Sequence, residues 1–333
     1  MPISKPHAHC VGLLTFDGTQ ALDVTGPASV FAAANDVVGA KHYDVHILSE
    51  LGGLVQTNSA VAIATEALTD IAPASIDTLL IVGGDDDAIR RLAGNRPVQQ
   101  WATAASANAQ RIGSICTGTF ALAQFGLIAG KRVATHWSGC AELAGLHPEI
   151  QVDANALFVQ DGKVWTSAGV TTGIDMCLEL VSNDLGSAVA NAIAKRLVLY
   201  ARRPGYQSQF SPLLSAQTKA DAPYAKLIQW MSEHLAESLD VPRLAARVAM
   251  SERSFHRKFT AASGETPAHF VETLRLDHAR SLLAARIALK VIAAKTGYAN
   301  AAQLSKAFER RFGLSPLLFR EMHCGSAKRV AVD

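Results

Sequence analysis

The chain is 333 residues long, about twice a usual domain length, and its 49% hydrophobic and 18% charged content suits two packed cores rather than a mainly disordered chain. No apolar run reaches the roughly 18 residues of a membrane helix, and the stretch from Met1 to Cys10 lacks the apolar segment of a signal peptide. The net charge of +2 conceals a division: residues 1–190 carry 9 Lys and Arg against 18 Asp and Glu, whereas residues 191–333 carry 22 against 11.

An acidic half joined to a basic half directs a polyanionic partner, nucleic acid first, to the second half alone. A basic surface without any partner would give the same arithmetic. Five scattered cysteines (Cys10, Cys116, Cys140, Cys177, Cys324) contain no CxxC pair, which argues against a disulfide framework or structural zinc and fits a reducing cytoplasm.

In chain order, 10–16 and 44–48 are short β-rich runs. The run 78–82 (TLLIV), stopped by Gly83-Gly84, has the continuous apolar character of a parallel strand buried on both faces. A helix is expected over 97–109, with Pro97 in its first turn. A strand follows over 111–115, a helix from 118 to 125, a strand over 163–167, and helices over 174–181 and 187–200. This alternation predicts an α/β sandwich around a largely parallel sheet.

Pro204, Gly205, Pro212 and Pro223 then break the pattern and mark a linker. The expected layout is an α/β domain over 1–203, a linker over 204–222, an all-α domain over 223–325 and a tail over 326–333.

In the basic half, a short helix over 244–249, a turn at Met250 and a helix over 251–262 capped by Ser251 form one helix-turn-helix unit. Phe255 and Phe259, four apart, face the core and leave Arg253, His256 and Arg257 on the other side. The arrangement recurs with a helix over 291–296, a turn at Gly297-Tyr298-Ala299, and an Asn300-capped helix over 301–312. Here Leu304, Phe308 and Phe312 are expected inside, with Gln303, Lys306 and Arg310 outside. A support helix, a tight turn and a second helix with polar outward residues suit major-groove insertion, where such side chains bond base edges or phosphates. A helical bundle with a solvated basic face is the alternative for any single residue.

The stretches LAARVAMSERSFHRKFTAASGETPAHFVETLRLDHARSLL and IAAKTGYANAAQLSKAFERRFGLSPLLFR resemble the AraC/XylS family of bacterial transcription regulators. The resemblance implies two helix-turn-helix units, bridged by 268–283, that enter successive major grooves on one face of a double-stranded DNA operator. By it, Arg253, His256 and Arg257 would contact DNA in the first unit, and Gln303, Ser305 and Lys306, beside Ala301 and Ala302, in the second. Leu304 stands where the family usually has Phe, and Lys306 where Arg is common. The second unit is thus expected to give more phosphate or methyl contact than base readout.

In the acidic half, Ile112-Gly113-Ser114-Ile115-Cys116-Thr117-Gly118 runs from a strand straight into a helix, with small residues around a central Cys. A nucleophile on so sharp a turn projects from the sheet. The helix N-terminus that follows would favour a thiolate and anionic ligands. Gly83 and Gly84 could supply further backbone donors, and Asp23, on the loop leading into Gly26-Pro27, and His136 are candidate partners. Each has a plainer reading: Cys116 as a small core residue, His136 as a core or surface histidine, Asp23 as a turn residue.

Together GTQALDVTGPASVF, LLIVGG, GSICTGTFALAQFGLIAGKRVATHW and VWTSAGVTTGIDMCLELV resemble the ThiJ/PfpI superfamily, the class I glutamine amidotransferase-like fold. The nearest flavour is the branch holding isocyanide hydratases and the sensor domains of GlxA-type AraC regulators, whose linker RRPGYQSQF also resembles. The resemblance implies Cys116 as a potential nucleophile, Asp23 bonded to its sulfur, and His136 near the thiol. Thr117 replaces the His of the peptidase-like members, which weakens a protease reading. It also implies a homodimer through the α/β domain.

The first expectation is therefore a regulator whose α/β domain binds a small effector, a nitrogen-containing metabolite being one candidate, with Asp23, Gly83, Gly84, Cys116, Thr117 and His136 at the site. The rival is a hydratase or amidase in which Cys116 attacks and Asp23 or His136 handles protons. A cysteine redox sensor is a third class. No cofactor, metal or membrane partner is expected: His7 and His9 form only an HxH, and no GxGxxG or GxxxxGK occurs.

Overall fold

The computed structural model describes residues 8–199, 202, 203, 205, 209, 222–263, 265–284, 287–312 and 315–323. The chain forms two compact units, 1–209 and 210–333. Most of the expected linker and the whole of the expected tail lie outside the described residues, as does Tyr200. Gly205 and Gln209, which fall in the expected linker, belong to the first unit and hydrogen-bond within it.

In the first unit the strands β1 (His9–Leu14), β2 (Tyr43–Ser49), β3 (Leu51–Gln56), β4 (Ala62–Ala67), β5 (Thr78–Ile81), β6 (Arg111–Ile115), β9 (Phe158–Asp161) and β10 (Val164–Ser167) make one sheet in the order β3-β4-β2-β1-β5-β6-β10-β9. All neighbours from β4 to β10 pair in parallel, and antiparallel β3 and β9 form the edges. A separate parallel pair joins β7 (Arg132–Val133) to β8 (Gln151–Val152). All four residues of β5 are buried, as a strand covered on both faces requires.

Strand alternation sorts the two helical layers. From β1, Cys10 and Leu14 pack with α2 (Asp86–Ala93), α3 (Arg96–Asn108), α4 (Gly118–Gln124) and α5 (Cys140–Leu146). Val11 and Leu13 face the opposite layer of α1 (Ala21–Val38), α6 (Thr171–Leu185) and α7 (Ser187–Arg196).

Helix α1 corrects one expectation. Asp23 sits in its first turn, not on a loop, and Pro27 lies inside the helix. An interior proline costs about 3 kcal/mol, but Val24, Val30 and Phe31 of this helix are buried, each contributing about 1.5–3 kcal/mol. Gly26 permits the packing, since a Cβ there would meet Ile174 of α6 at 2.9 Å. Helix α6 begins at Thr171, earlier than its apolar period suggested, and α7 stops at Arg196, before Val198 takes φ +55°.

The described residues of the second unit are helical: α8 (Ala222–Glu233), α9 (Val241–Arg247), α10 (Glu252–Ser263), α11 (Pro267–Ala284), α12 (Leu289–Lys295), α13 (Ala301–Phe312) and α14 (Pro316–His323). Tyr224, Phe255, Phe259 and Phe270 form an aromatic core joining α8, α10 and α11. Among the described residues no helix is long and apolar enough to cross a membrane.

Candidate functional site

Cys116 opens the turn between β6 and α4 with φ +59°, a left-handed conformation that costs a non-glycine residue about 1–3 kcal/mol. Its surroundings hold it there. The Cys116 N–H donates to Ser167 O at 2.9 Å, and its carbonyl accepts from the Thr135 hydroxyl at 2.9 Å. Gly169, at φ +93°, packs so tightly that a Cβ there would lie 2.2 Å from Cys116 Cβ. Only glycine fits.

Asp23 is fully buried. Its Oδ1 accepts from the Val170 N–H at 2.6 Å, while Val170 itself stands at φ +51°. Oδ2 faces Gly83 and the Cys116 thiol without a hydrogen bond of good geometry, so these groups stabilise the carboxylate only in part. Burial dominates and pushes the Asp23 carboxyl up to about 6. For the thiol, burial and then the Asp23 charge push it up to about 12. The thiolate expected from the helix N-terminus is therefore not the favoured form: a helix end contributes about 1 kcal/mol, far less than this opposition.

The expected backbone donors are also engaged. Gly84 N–H donates to Thr117 Oγ1 at 3.0 Å, and the same hydroxyl donates to Gly84 O at 3.0 Å. Gly83 O accepts from the Thr19 hydroxyl and the Gln20 N–H, and its N–H faces Asp23. His136 is half-buried, which holds its imidazole below the ordinary value, and Nδ1 is engaged by Ser138 Oγ at 2.7 Å rather than by the thiol.

Cys116, Thr117, His136 and Gly84 nevertheless line one cleft of about 680 Å³, together with Val170, Arg90 and Asp86. Asp23 and Gly83 lie behind its wall. A neighbouring cavity of about 560 Å³ shares Thr117, Arg90, Asp86 and Ser138 and adds apolar Ile89, Phe120 and Leu146. The cleft opens at the carboxyl end of the parallel strands, where a sheet of this kind leaves room for ligands. Gly169 and Val170 escaped the motif reading. Their signal was Ala168-Gly169 directly after a strand, where a glycine permits close approach.

In the second unit Asp240 caps α9, its carboxylate accepting from the Arg243 N–H at 3.0 Å. Ala249 makes the tight turn at φ +52°. Phe255 and Phe259 are buried, while Arg253, His256 and Arg257 are exposed on α10. In the later unit Asn300 Oδ1 caps α13 through the Gln303 N–H at 2.9 Å. Leu304 and Phe308 are buried and Phe312 is half-buried. Lys306 is exposed and Ser305 half-exposed, whereas exposed Gln303 accepts through Oε1 from the Ala299 N–H at 3.3 Å. Arg310, expected to be available, is paired with Glu272 of α11.

Comparison with known proteins agrees with this division. The DJ-1/PfpI family model matches residues 9–183, and a helix-turn-helix domain model matches residues 244–322. The HTH-type transcriptional regulator GbdR of Pseudomonas aeruginosa is 27% identical over 317 residues, covering 95% of this chain and 85% of that protein. The isonitrile hydratase of Pseudomonas putida is 28% identical over 237 residues, covering 69% of this chain and 98% of that protein. Among solved structures, a ThiJ/PfpI family protein from Pseudomonas syringae superposes with TM-score 0.54 at 23% identity, covering 70% of this chain and 93% of that one. The chain belongs to the DJ-1/PfpI family and carries behind that domain an AraC-type helix-turn-helix region.

Proposed function

We propose that this protein is a transcription regulator in which α10 and α13 bind double-stranded DNA and the cleft beside Cys116 binds a small effector that alters that binding. The observation that carries the reading is the presence in one chain of two helix-turn-helix units with exposed polar second helices and an α/β unit of DJ-1/PfpI type. Residues 204–222 act as the linker, and the regulator works as a homodimer through its α/β unit. Arg253, His256 and Arg257 contact DNA from the first unit and Gln303, Ser305 and Lys306 from the second.

The rival reading, a cysteine-dependent hydratase or amidase, is favoured by the elbow itself and by the likeness to the isonitrile hydratase. Against it stand a thiol raised to about 12 and a histidine engaged elsewhere. Cys116→Ser separates the two. In a reporter driven by the protein's own operator, regulation is expected to survive, because the hydroxyl is small and bonds hydrogen. In parallel hydration and amide-hydrolysis assays the wild type is expected to show no turnover. Turnover that vanishes in Cys116→Ser, together with lost regulation, refutes the sensor reading, since the oxygen is a far poorer nucleophile without an adjacent base.

A further inference from the structure

The turns of the two helix-turn-helix units differ by one residue. In the first, Ala249 at φ +52° is followed by Met250, whose N–H donates back to Ala245 O at 3.0 Å, and then directly by the capping residue Ser251. In the second, Gly297 at φ +71° is followed by Tyr298, whose N–H donates to Ala293 O at 2.9 Å. Ala299 comes next, and only then the cap Asn300. Gly297 holds this turn close to the preceding helix: a Cβ there would lie 2.3 Å from Leu235 O. Ala299 is the additional residue, and its N–H donates to the Gln303 side chain, Oε1, at 3.3 Å. In return the Gln303 N–H donates to Asn300 Oδ1 at 2.9 Å. The pair is a capping box displaced by one residue.

That cap fixes which way the Gln303 amide faces. A backbone N–H can only donate, so the amide oxygen and not the nitrogen must meet it. Gln303 is exposed, and its Nε2 has no hydrogen-bond partner among the described residues. A free glutamine recognises adenine by presenting oxygen and nitrogen side by side to N6 and N7. Gln303 turns its oxygen back to the turn and cannot present both ends to one base. What it offers outward is an NH2 group, two donors without an acceptor. Its neighbours on α13 do not supply the missing acceptor: Ala301 and Ala302 carry only methyl groups, Lys306 is a cation three residues on, and Arg310 is paired with Glu272.

We infer that Gln303 is a specificity-determining residue of the second unit that reads guanine, whose O6 and N7 both accept, and rejects adenine, whose N6 amino group would confront its own. Thymine, with the single acceptor O4, ranks second. The inference rests on the reading of α13 as a DNA-binding helix and deepens it by naming the base edge.

The test uses the full chain and a library of randomised DNA duplexes, selected at fixed salt and sequenced. At one position the wild type is expected to favour guanine over adenine by roughly tenfold. Gln303→Glu keeps an oxygen for the Ala299 N–H but replaces the outward donor with an acceptor. Preference at that position should then pass to cytosine, whose N4 amino group donates, while every other position is unchanged. A wild-type preference for adenine at that position, or a Gln303→Glu pattern identical to wild type throughout, overturns the inference. If the added carboxylate abolishes binding, Gln303→Ala decides: discrimination lost at one position alone supports the inference, and undiminished discrimination overturns it. A wild type that enriches no sequence refutes the regulator reading and the inference with it, whereas enrichment without a Gln303-dependent position refutes the inference alone.

Discussion

Asp23→Asn probes the energetics of the elbow most directly. The Asp23 carboxyl is raised from 3.8 to about 6 because it is buried, and its bonds offset the burial only in part. A gap of about two pH units, at about 1.4 kcal/mol per unit, amounts to about 3 kcal/mol. The folded value lies above the unfolded one, so the stability Asp23 contributes is complete below pH 3.8 and is lost as pH rises through about 6. Above pH 7 the ionised carboxylate therefore weakens the α/β unit by about 3 kcal/mol relative to its protonated form. Asparagine keeps an oxygen for the Val170 N–H and cannot ionise, while its amide meets the Gly83 N–H at a cost that does not depend on pH. The diagnostic quantity is thus the change between pH 4 and 7 in the stability difference of variant and wild type. Urea unfolding in a Trp230→Phe background confines tryptophan emission to Trp101, Trp137 and Trp165 of the α/β unit. Asp23→Asn should gain about 2.4 kcal/mol on wild type across that interval, most of the full amplitude, since the unfolded carboxyl is already partly ionised at pH 4. Parallel stability curves would falsify the assignment of a buried, destabilising carboxylate.

The exposed cations of the two helix-turn-helix units should not be equivalent. Arg257→Ala is expected to weaken operator binding by about 1–3 kcal/mol in fluorescence anisotropy at fixed salt, whereas Arg310→Ala, already paired with Glu272, should change it by less than about 1 kcal/mol; equal losses would refute the distinction. Affinity should also fall steeply with salt, and a flat dependence would remove the basic half from the interface. Gly84→Leu is expected to lower the melting temperature of the α/β unit instead of filling the cleft, because a Cβ there would lie 2.5 Å from Gly18 O; a melting temperature equal to wild type would show that the loop yields.

The strands at the sheet centre were legible because burial on both faces imposes a continuous apolar run, as in 78–82, and 111–115 appeared with its observed bounds. The edges were not. In β3, Leu51 and Leu54 are 86% and 69% exposed, so apolar type and burial part company there. Asp23 reads as a loop residue because Pro27 signals a break, and only packing against α6 overrides that signal. The helix-turn-helix units read well, since capping by Asn300 and the four-residue spacing of Phe255 and Phe259 are local properties. The partnership of Arg310 with Glu272 spans 38 residues of sequence and has no local trace. The same holds at the elbow: the sharp turn is written in its small residues, but the state of the thiol depends on a carboxylate 93 residues earlier.

That dependence bears on how the cleft works. Two residues, Cys116 and Val170, are held at positive φ, and between them lies a buried carboxylate with one oxygen poorly bonded. Each left-handed conformation costs about 1–3 kcal/mol, and the ionised carboxylate adds about 3 kcal/mol. For turnover this arrangement is adverse: it keeps the sulfur protonated and engages the Gly84 donor with Thr117. For sensing it is apt. A few kcal/mol held across the β6–α4 turn, the β10–α6 turn and the Asp23 carboxylate is the scale on which an effector would have to act to shift a two-state population, and Val170 brings the second of these turns to the cleft. Under the proposed regulator reading, an effector that relieves Val170 would change the contact to Asp23 and the start of α6 in one movement.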